Sequence, residues 1–148
     1  MTEAVKTPWH LWVVGIVGLL WNIIGVTDYS FAKLKSEWYM HEVSGFTPEQ
    51  VAWFYGFPLW ANIGWALGVW GSLAGSLLLL ARSRHAVTAF AVSIAGLALM
   101  TIYQFVLNGD RFVALFGMAP AYFTAVIWAV VLALFYYSRR QAAKGVLR

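Results

Sequence analysis

The sequence contains no cysteine among its 148 residues, which excludes disulfide bonds, thiolate metal sites and cysteine nucleophiles. Its histidines, His10, His41 and His85, are too far apart along the chain for paired ligation of a metal on one helix. Phosphate-binding loops, hydrolase elbows, zinc-protease helices and dinucleotide fingerprints are also missing. We therefore predict a protein that is not an enzyme, with no catalytic residues, no metal site and no cofactor.

Charged residues are few, at 11% of the chain against about 25% in soluble domains, whereas apolar residues reach 61% against about 45–50%. A soluble fold of this size leaves too much surface exposed to hide them, but a lipid bilayer accommodates them. The net charge of +4 comes from basic residues at the ends of apolar segments, without the basic and aromatic stripes of nucleic-acid-binding proteins. The predicted partner is the bilayer, and no nucleic acid is expected.

The apolar residues form long runs. A hydrocarbon core of about 30 Å needs around 20 helical residues, and the runs that reach this length cover about residues 9–29, 58–81, 86–107 and 120–137. Each run must be helical because an unpaired backbone amide in lipid is costly. The sequence predicts one all-α domain over residues 1–148, an integral membrane antiparallel four-helix bundle.

The basic residues predict the orientation of this bundle. One side has Lys33, Lys35 and Arg111, and the other side has more: Lys6, Arg82, Arg84, Arg139, Arg140, Lys144 and Arg148. Because cytoplasmic loops are enriched in lysine and arginine, we expect both termini to lie in the cytoplasm.

The one long connection, about residues 30–57, is then external. Residues 47–50 have the pattern of a helix start, with Thr47 as N-cap and Gln50 closing a capping box. We expect helix one to run out to about Met40, helix two to begin before the membrane, and Gly45 to form the turn of this helical hairpin. Its aromatic residues form either an interfacial belt or a binding cap: Trp38, Tyr39, Trp53, Phe54 and Tyr55.

A stripe of glycines follows one face of the second span, at Gly64, Gly68, Gly71 and Gly75. Such a stripe lets another membrane helix approach closely. It could pack against the glycine face of helix one within the same chain, or it could form a homodimer.

The larger polar side chains of all four spans fall in the half of the membrane nearer the hairpin, whereas the other half has only small ones such as Ser72, Ser76 and Ser93. They either make hydrogen bonds between helices or line a pocket that is open to the outside and walled by aromatic rings. The candidate ligand-binding residues are Asn22, Asp28, Trp60, Asn62, Thr101, Tyr103, Gln104, Arg111, Tyr122 and Thr124. Asp28 is either a proton or cation site or a solvated carboxylate paired with Arg111 or Lys35.

Several segments resemble a family of small bacterial inner-membrane proteins that often carry the provisional name "sugar transporter". The segments are WNIIG at 21–25, DY at 28–29, FYGFPLW at 54–60, WALGVWG at 65–71, RSRHA at 82–86 and YQF at 103–105. The resemblance implies a multi-pass protein of the bacterial inner membrane, and it implies no particular binding residue.

Two functions fit this sequence. The first is a non-catalytic module that binds a lipid, a small amphiphile or a membrane partner protein through the pocket. The second is a carrier of a small, sugar-like solute, which would need a homodimer because four helices leave little room for alternating access and no internal repeat is present.

Overall fold

The computed structural model describes residues 5–148, and all regular structure in that range is helical. The α-helices are α1 (Trp9–Lys33), α2 (Pro48–Tyr55), α3 (Leu59–Leu80), α4 (His85–Thr101), α5 (Gly109–Phe116) and α6 (Ala119–Ala143). Two π-helical segments, Trp38–Val43 and Ile102–Leu107, follow α1 and α4. The predicted all-α class is confirmed.

Four of these helices are long and apolar enough to cross a membrane: α1, α3, α4 with its π-helical extension to Leu107, and α6. Each has 22–25 residues, or about 33–38 Å at 1.5 Å per residue. The closest packing joins α3 to α4, then α1 to α3 and α4 to α6. The four helices thus stand in the order α1–α3–α4–α6, and α1 and α6 meet mainly through side chains.

One apolar core lies at the end of the bundle where α1 begins and α6 ends, which we call the terminal end. Its buried residues come from all four long helices and from the last residues of the chain: Leu11, Leu79, Ala86, Phe90, Val131, Leu134, Val146 and Leu147. Backbone hydrogen bonds tie the last residue to the α3–α4 turn, from Arg148 N to Arg82 O (2.8 Å) and from Arg84 N to Arg148 O (3.0 Å). This end of the bundle is closed.

A second core lies at the opposite end, which we call the hairpin end, beneath residues 34–58 (the hairpin) and α5. Trp53, Phe57 and Phe112 are buried there together with Ala61 and Met100. The predicted capping box at the start of α2 is confirmed, because Thr47 Oγ1 accepts from Gln50 N and Gln50 Oε1 accepts from Thr47 N.

Two expectations about the hairpin are wrong. Helix α1 ends at Lys33 rather than near Met40, and Lys35 takes a positive φ of 52° before the π-helical segment begins. Helix α2 ends at Tyr55 and does not continue into the membrane. Pro58 caps α3 with an extended backbone, and because a proline disfavours the helical conformation in the residue before it, one continuous helix cannot form there.

The glycine stripe of α3 packs on α4 and not on α1. A Cβ atom on Gly64 would lie 2.7 Å from Leu99 Cβ, and one on Gly75 would lie 2.6 Å from the Phe90 ring. The glycines of α1 instead face a different side of α3, where Gly15 contacts Leu80. A homodimer that used the stripe would therefore have to displace α4.

Candidate functional site

A cavity of about 750 Å³ lies between the two cores, in the middle of the bundle. All four long helices form its walls, and the hairpin and α5 form its roof. Its lining on α6 runs from Ala119 to Val131, which corresponds to about 18 Å along the helix at 1.5 Å per residue. Small-molecule sites have volumes of roughly 300–1,000 Å³, so the cavity is large enough for an elongated ligand.

Several small residues line the cavity, and Gly25 has open space beside it, because a Cβ atom there would meet only Val69 Cγ1 at 3.7 Å. Gly25 of α1, Gly64 and Gly68 of α3, and Ser93 of α4 all face it. Most of the remaining lining is aliphatic or aromatic, including Leu97, Met100, Ile127 and Val130. The walls therefore offer an apolar surface with few polar groups.

Asn22 and Ser72 close the base of the cavity with a complete set of hydrogen bonds. Asn22 Nδ2 donates to Ser72 O (3.0 Å) and to Ser76 Oγ (2.8 Å), and Asn22 Oδ1 accepts from Ser72 Oγ (2.9 Å). Asn22 and Ser76 are buried. These groups satisfy one another, so the base needs no ligand to be stable.

Gln104 and Thr124 line the cavity from two neighbouring helices, the extension of α4 and α6. Thr124 Oγ1 is engaged with Pro120 O at 2.8 Å. Gln104 lies in the π-helical extension of α4, a distortion that is common at functional sites. Within residues 5–148 its amide forms no hydrogen bond with another residue, so a donor and an acceptor face the cavity unengaged.

Asp28 and Tyr39 line the cavity near the hairpin end, and we call this part of the cavity the mouth. The Tyr39 hydroxyl donates to Asp28 Oδ1, and this hydrogen bond to the carboxylate, with desolvation, raises the pKa of Tyr39 to about 12. The phenol therefore stays protonated at physiological pH. Asp28 is six residues beyond Asn22, so the mouth lies about 9 Å above the base at 1.5 Å per residue.

The two parts of the roof are joined to each other by one polar contact and several rings. Gln50 Nε2 donates to Leu115 O at 2.9 Å and so joins the hairpin to α5. The Phe116 ring lies 6.0 Å from that of Phe46 and 5.7 Å from that of Phe54. Phe54 also packs on Trp65 of α3, with ring centroids 5.9 Å apart, and so attaches the roof to the bundle.

The lining of the cavity is partly exposed along the seam between α1 and α6. Towards the terminal end this seam is closed, where His10 bonds to Tyr137 and Gly18 lies against Leu134. Towards the hairpin end, Ile24 and Phe123 line the cavity and are nevertheless 61% and 54% exposed, and the Phe123 ring lies 5.9 Å from that of Trp21 across the seam. Here the wall of the cavity therefore consists of side chains that also face the surroundings of the bundle.

The other predicted site residues lie away from the cavity. Trp60 packs on Tyr103 with ring centroids 5.7 Å apart, and Tyr122 is 70% exposed on the outer surface of α6. Asn62 Nδ2 donates to Phe57 O (3.1 Å), and its Oδ1 accepts from Lys33.

The last two predicted site residues, Thr101 and Arg111, also contact other parts of the protein. Thr101 accepts a hydrogen bond from Trp128 Nε1 (3.0 Å), and Arg111 lies over the Trp53 ring, 5.5 Å from its centroid. Neither residue lines the cavity. The expected pairing of Asp28 with Arg111 or Lys35 is wrong, because the partner of Asp28 is Tyr39 and Lys35 lies over Tyr55.

Sequence reasoning missed the residues that form the roof. Helix α5 was not predicted, although Phe112, Leu115 and Phe116 have the i, i+3, i+4 spacing of an amphipathic helix. Phe112 and Phe116 line the cavity. Gln50 was predicted only as part of a cap, and its second contact, to Leu115, has no local signal in the sequence.

The fold and cavity define a helical membrane protein with an apolar internal site. Among residues 5–148, no group of three or more histidine, aspartate or glutamate side chains is placed to hold a metal ion. Comparisons with family models, with curated proteins and with solved structures find no match for this chain.

Proposed function

We propose that this protein is a non-catalytic membrane module that binds one lipid-like amphiphile in the cavity. The observation that supports this most directly is the shape of the site, which is about 750 Å³, elongated, apolar along its walls and polar at its mouth. An amphiphile matches this arrangement, because its chain would cover the apolar walls while its headgroup met Asp28, Tyr39 and Gln50. Sites of this kind use a few polar groups to orient an otherwise apolar ligand.

The exposed seam between α1 and α6 supports the membrane as the source of the ligand. Apart from Asp28, the exposed residues of these two helices that line the cavity are apolar or small: Ile24, Ala119 and Phe123. A sugar-like solute would have to leave water to enter there, whereas an acyl chain is already in hydrocarbon. The amphiphile is therefore favoured over the polar solute.

The proposal includes an orientation in which both termini face the cytoplasm of a bacterial cell and the cavity mouth faces the outer leaflet of the inner membrane. Basic residues concentrated at the terminal end support it: Arg82, Arg84, Arg139, Arg140, Lys144 and Arg148. The hairpin end has five acidic residues beside its few basic ones: Asp28, Glu37, Glu42, Glu49 and Asp110. This asymmetry follows the rule that cytoplasmic ends are positively charged.

Filling the cavity should abolish binding without unfolding the protein. A Cβ atom on Gly25 would meet only Val69 Cγ1, at 3.7 Å, so Gly25→Leu would place its remaining atoms in the cavity and would also favour the helix. We expect the affinity for an uncharged monoacylglycerol to fall about tenfold or more, since forcing atoms into an occupied space typically costs roughly 1–3 kcal/mol. A brominated acyl chain should report binding by quenching Trp21 and Trp65, which line the cavity.

Ala91→Leu is the matched control, because Ala91 is exposed on α4 and does not line the cavity. It adds a similar side chain to the outer surface and should leave saturable quenching unchanged. Quenching that is equal in Gly25→Leu, Ala91→Leu and the unaltered protein would show that the chain contacts only the outer surface, and the proposal would then be wrong.

A further inference from the structure

Asp28 is the one charged residue among those that line the cavity. Its Oδ1 accepts the hydrogen bond from Tyr39, and within the described part of the chain Oδ2 has no hydrogen-bond partner. The group is exposed at the mouth, so it remains accessible to a ligand. Asp28 therefore gives the polar end of the cavity a single negative charge with an unused acceptor.

The basic side chains at the same end are directed to other partners. Lys33 donates to Asn62 and lies over the Trp65 ring at 5.4 Å. Lys35 lies 5.4 Å over the Tyr55 ring, and Arg111 is held over Trp53. None of these cations lines the cavity or forms an ion pair with Asp28 in residues 5–148. The carboxylate of Asp28 therefore has no salt-bridge partner among these side chains, and a cationic ligand could pair with it.

Aromatic rings share the cavity with the carboxylate. Tyr39, which is bonded to Asp28, lines the cavity together with Phe46, Phe54 and Trp65, and the Phe54 ring lies 5.2 Å from Phe46 and 5.9 Å from Trp65. Aromatic faces attract ammonium groups, and this attraction is strongest where water is excluded. A carboxylate beside aromatic faces is a combination that selects organic cations over both anions and uncharged headgroups.

We propose that the ligand is an amphiphile with an ammonium headgroup, which binds the Asp28 carboxylate at the mouth while its apolar chain occupies the cavity. This inference rests on the proposed function, because it names the headgroup of the amphiphile bound there. The aromatic wall accommodates the methyl or methylene groups on the nitrogen. Gln104, which also lines the cavity, is free to bind a second polar group of the ligand.

The test compares two probes of equal chain length, dodecyltrimethylammonium and dodecanol, on purified protein in an uncharged maltoside detergent. Binding is measured by scintillation proximity with radiolabelled probe. We expect the ammonium probe to bind about tenfold or more tightly than the alcohol, because its positive charge is attracted by the carboxylate and by aromatic faces without needing a hydrogen bond; tenfold corresponds to about 1.4 kcal/mol. Asp28→Asn should remove that preference and leave dodecanol binding unchanged.

Two variants separate the charge from the architecture of the mouth. Asp110→Asn makes the same chemical change at an exposed carboxylate of α5 that does not line the cavity, and it should keep the preference. Tyr39→Phe removes the hydrogen bond to Asp28 but keeps the carboxylate, so it should also keep or increase the preference. Equal losses in Tyr39→Phe and Asp28→Asn would mean that the mouth has lost its structure, and the headgroup assignment would be overturned.

The outcomes distinguish this inference from the function on which it rests. If dodecanol binds as tightly as the ammonium probe and Gly25→Leu weakens both, the cavity binds amphiphiles but the ammonium assignment is wrong. If Gly25→Leu weakens neither probe, the proposed function itself fails. If lysophosphatidylethanolamine displaces the ammonium probe, the source of the ammonium group is a lipid headgroup. If unlabelled dodecyltrimethylammonium displaces the probe and lysophosphatidylethanolamine does not, the source is a free alkylammonium.

Discussion

At the scale of single residues, Asn22 shows how a polar group can be stable inside an apolar bundle. Its amide joins α1 to Ser72 and Ser76 of α3 through three hydrogen bonds of 2.8–3.0 Å. An unsatisfied buried amide would cost roughly 1–3 kcal/mol, so this arrangement matters more for the penalty it avoids than for the energy it adds. It also fixes the rotation of α1 against α3, which determines which residues of α1 face the cavity.

Asn22→Ala and Ser76→Ala should each destabilise the protein, and their effects should not add. Each substitution removes the same hydrogen bond, so we expect a coupling of about 0.6 kcal/mol, with about 1.7 kcal/mol as the upper range for such pairs in membrane proteins. The measurement is a double-mutant cycle on unfolding in mixed micelles. Ser83→Ala, in the α3–α4 turn away from Asn22, is the control and should be additive with Asn22→Ala; a coupling of zero at Ser76 would contradict the structure.

The depth of polar residues could be predicted from the sequence, but their direction could not. Counting residues along each span places Asn22, Asn62 and Gln104 in the same half, yet only Asn22 and Gln104 line the cavity. Asn62 turns to the Phe57 carbonyl and to Lys33, because the break in the chain before α3 leaves that carbonyl within reach. Direction depends on how each helix is rotated, and rotation is set by packing contacts from distant parts of the chain.

At the scale of helices, the packing of α3 on α4 depends on backbone contact. A Cβ atom on Gly96 of α4 would lie 2.5 Å from both Gly64 O and Gly68 N. Small residues of this kind let membrane helices associate through close van der Waals contact. Ser93 Oγ adds a hydrogen bond to Gly68 O at 2.6 Å, so polar and packing contacts reinforce the same pair of helices.

Gly96→Ala should destabilise the protein by about 1–3 kcal/mol, because the added methyl meets backbone atoms that cannot move aside. Gly68→Ala is the matched control, since its Cβ would meet the nearest backbone atom, Leu97 N, at an ordinary 3.6 Å. We expect Gly68→Ala to be neutral or stabilising by up to about 1 kcal/mol through helix propensity. Thermal unfolding in detergent ranks the variants, and equal stabilities would argue against this packing.

Long helices are easier to predict than the short segments around them. The four spans follow from uninterrupted apolar runs, and the capping box at residues 47–50 is a local signal that the structure confirms. The end of α2 at Tyr55 was missed although Pro58 is a local signal against a continuous helix. Helix α5 was missed although Phe112, Leu115 and Phe116 have helical spacing, because eight residues are too few to span a membrane. Its packing on the rings of Trp53 and Phe54 has no local signal.

At the scale of the whole molecule, the two ends of the bundle differ in charge and in construction. The terminal end is closed by a core to which the last residues of the chain contribute Val146 and Leu147. At the hairpin end, aromatic rings and the hydrogen bond from Gln50 to Leu115 hold the roof together, and the cavity lies directly beneath it. Because the mouth of the cavity lies near only one end, the orientation of the protein in the membrane determines which leaflet supplies the ligand.

Cysteine labelling can test this orientation directly, because the chain has no native cysteine and each introduced thiol is unique. Ala52 is exposed on α2 at the hairpin end, and Ala143 is exposed at the end of α6 beside the basic cluster. With the positively charged end in the cytoplasm, a membrane-impermeant maleimide should label Ala52→Cys in intact cells and label Ala143→Cys only after lysis. Ala81→Cys, in the turn between α3 and α4, is the internal control and should behave like Ala143→Cys, because that turn lies at the terminal end. The reverse labelling pattern would place the cavity mouth in the cytoplasmic leaflet and would overturn the proposed orientation. It would not bear on ligand binding in the cavity, which the ligand experiments test.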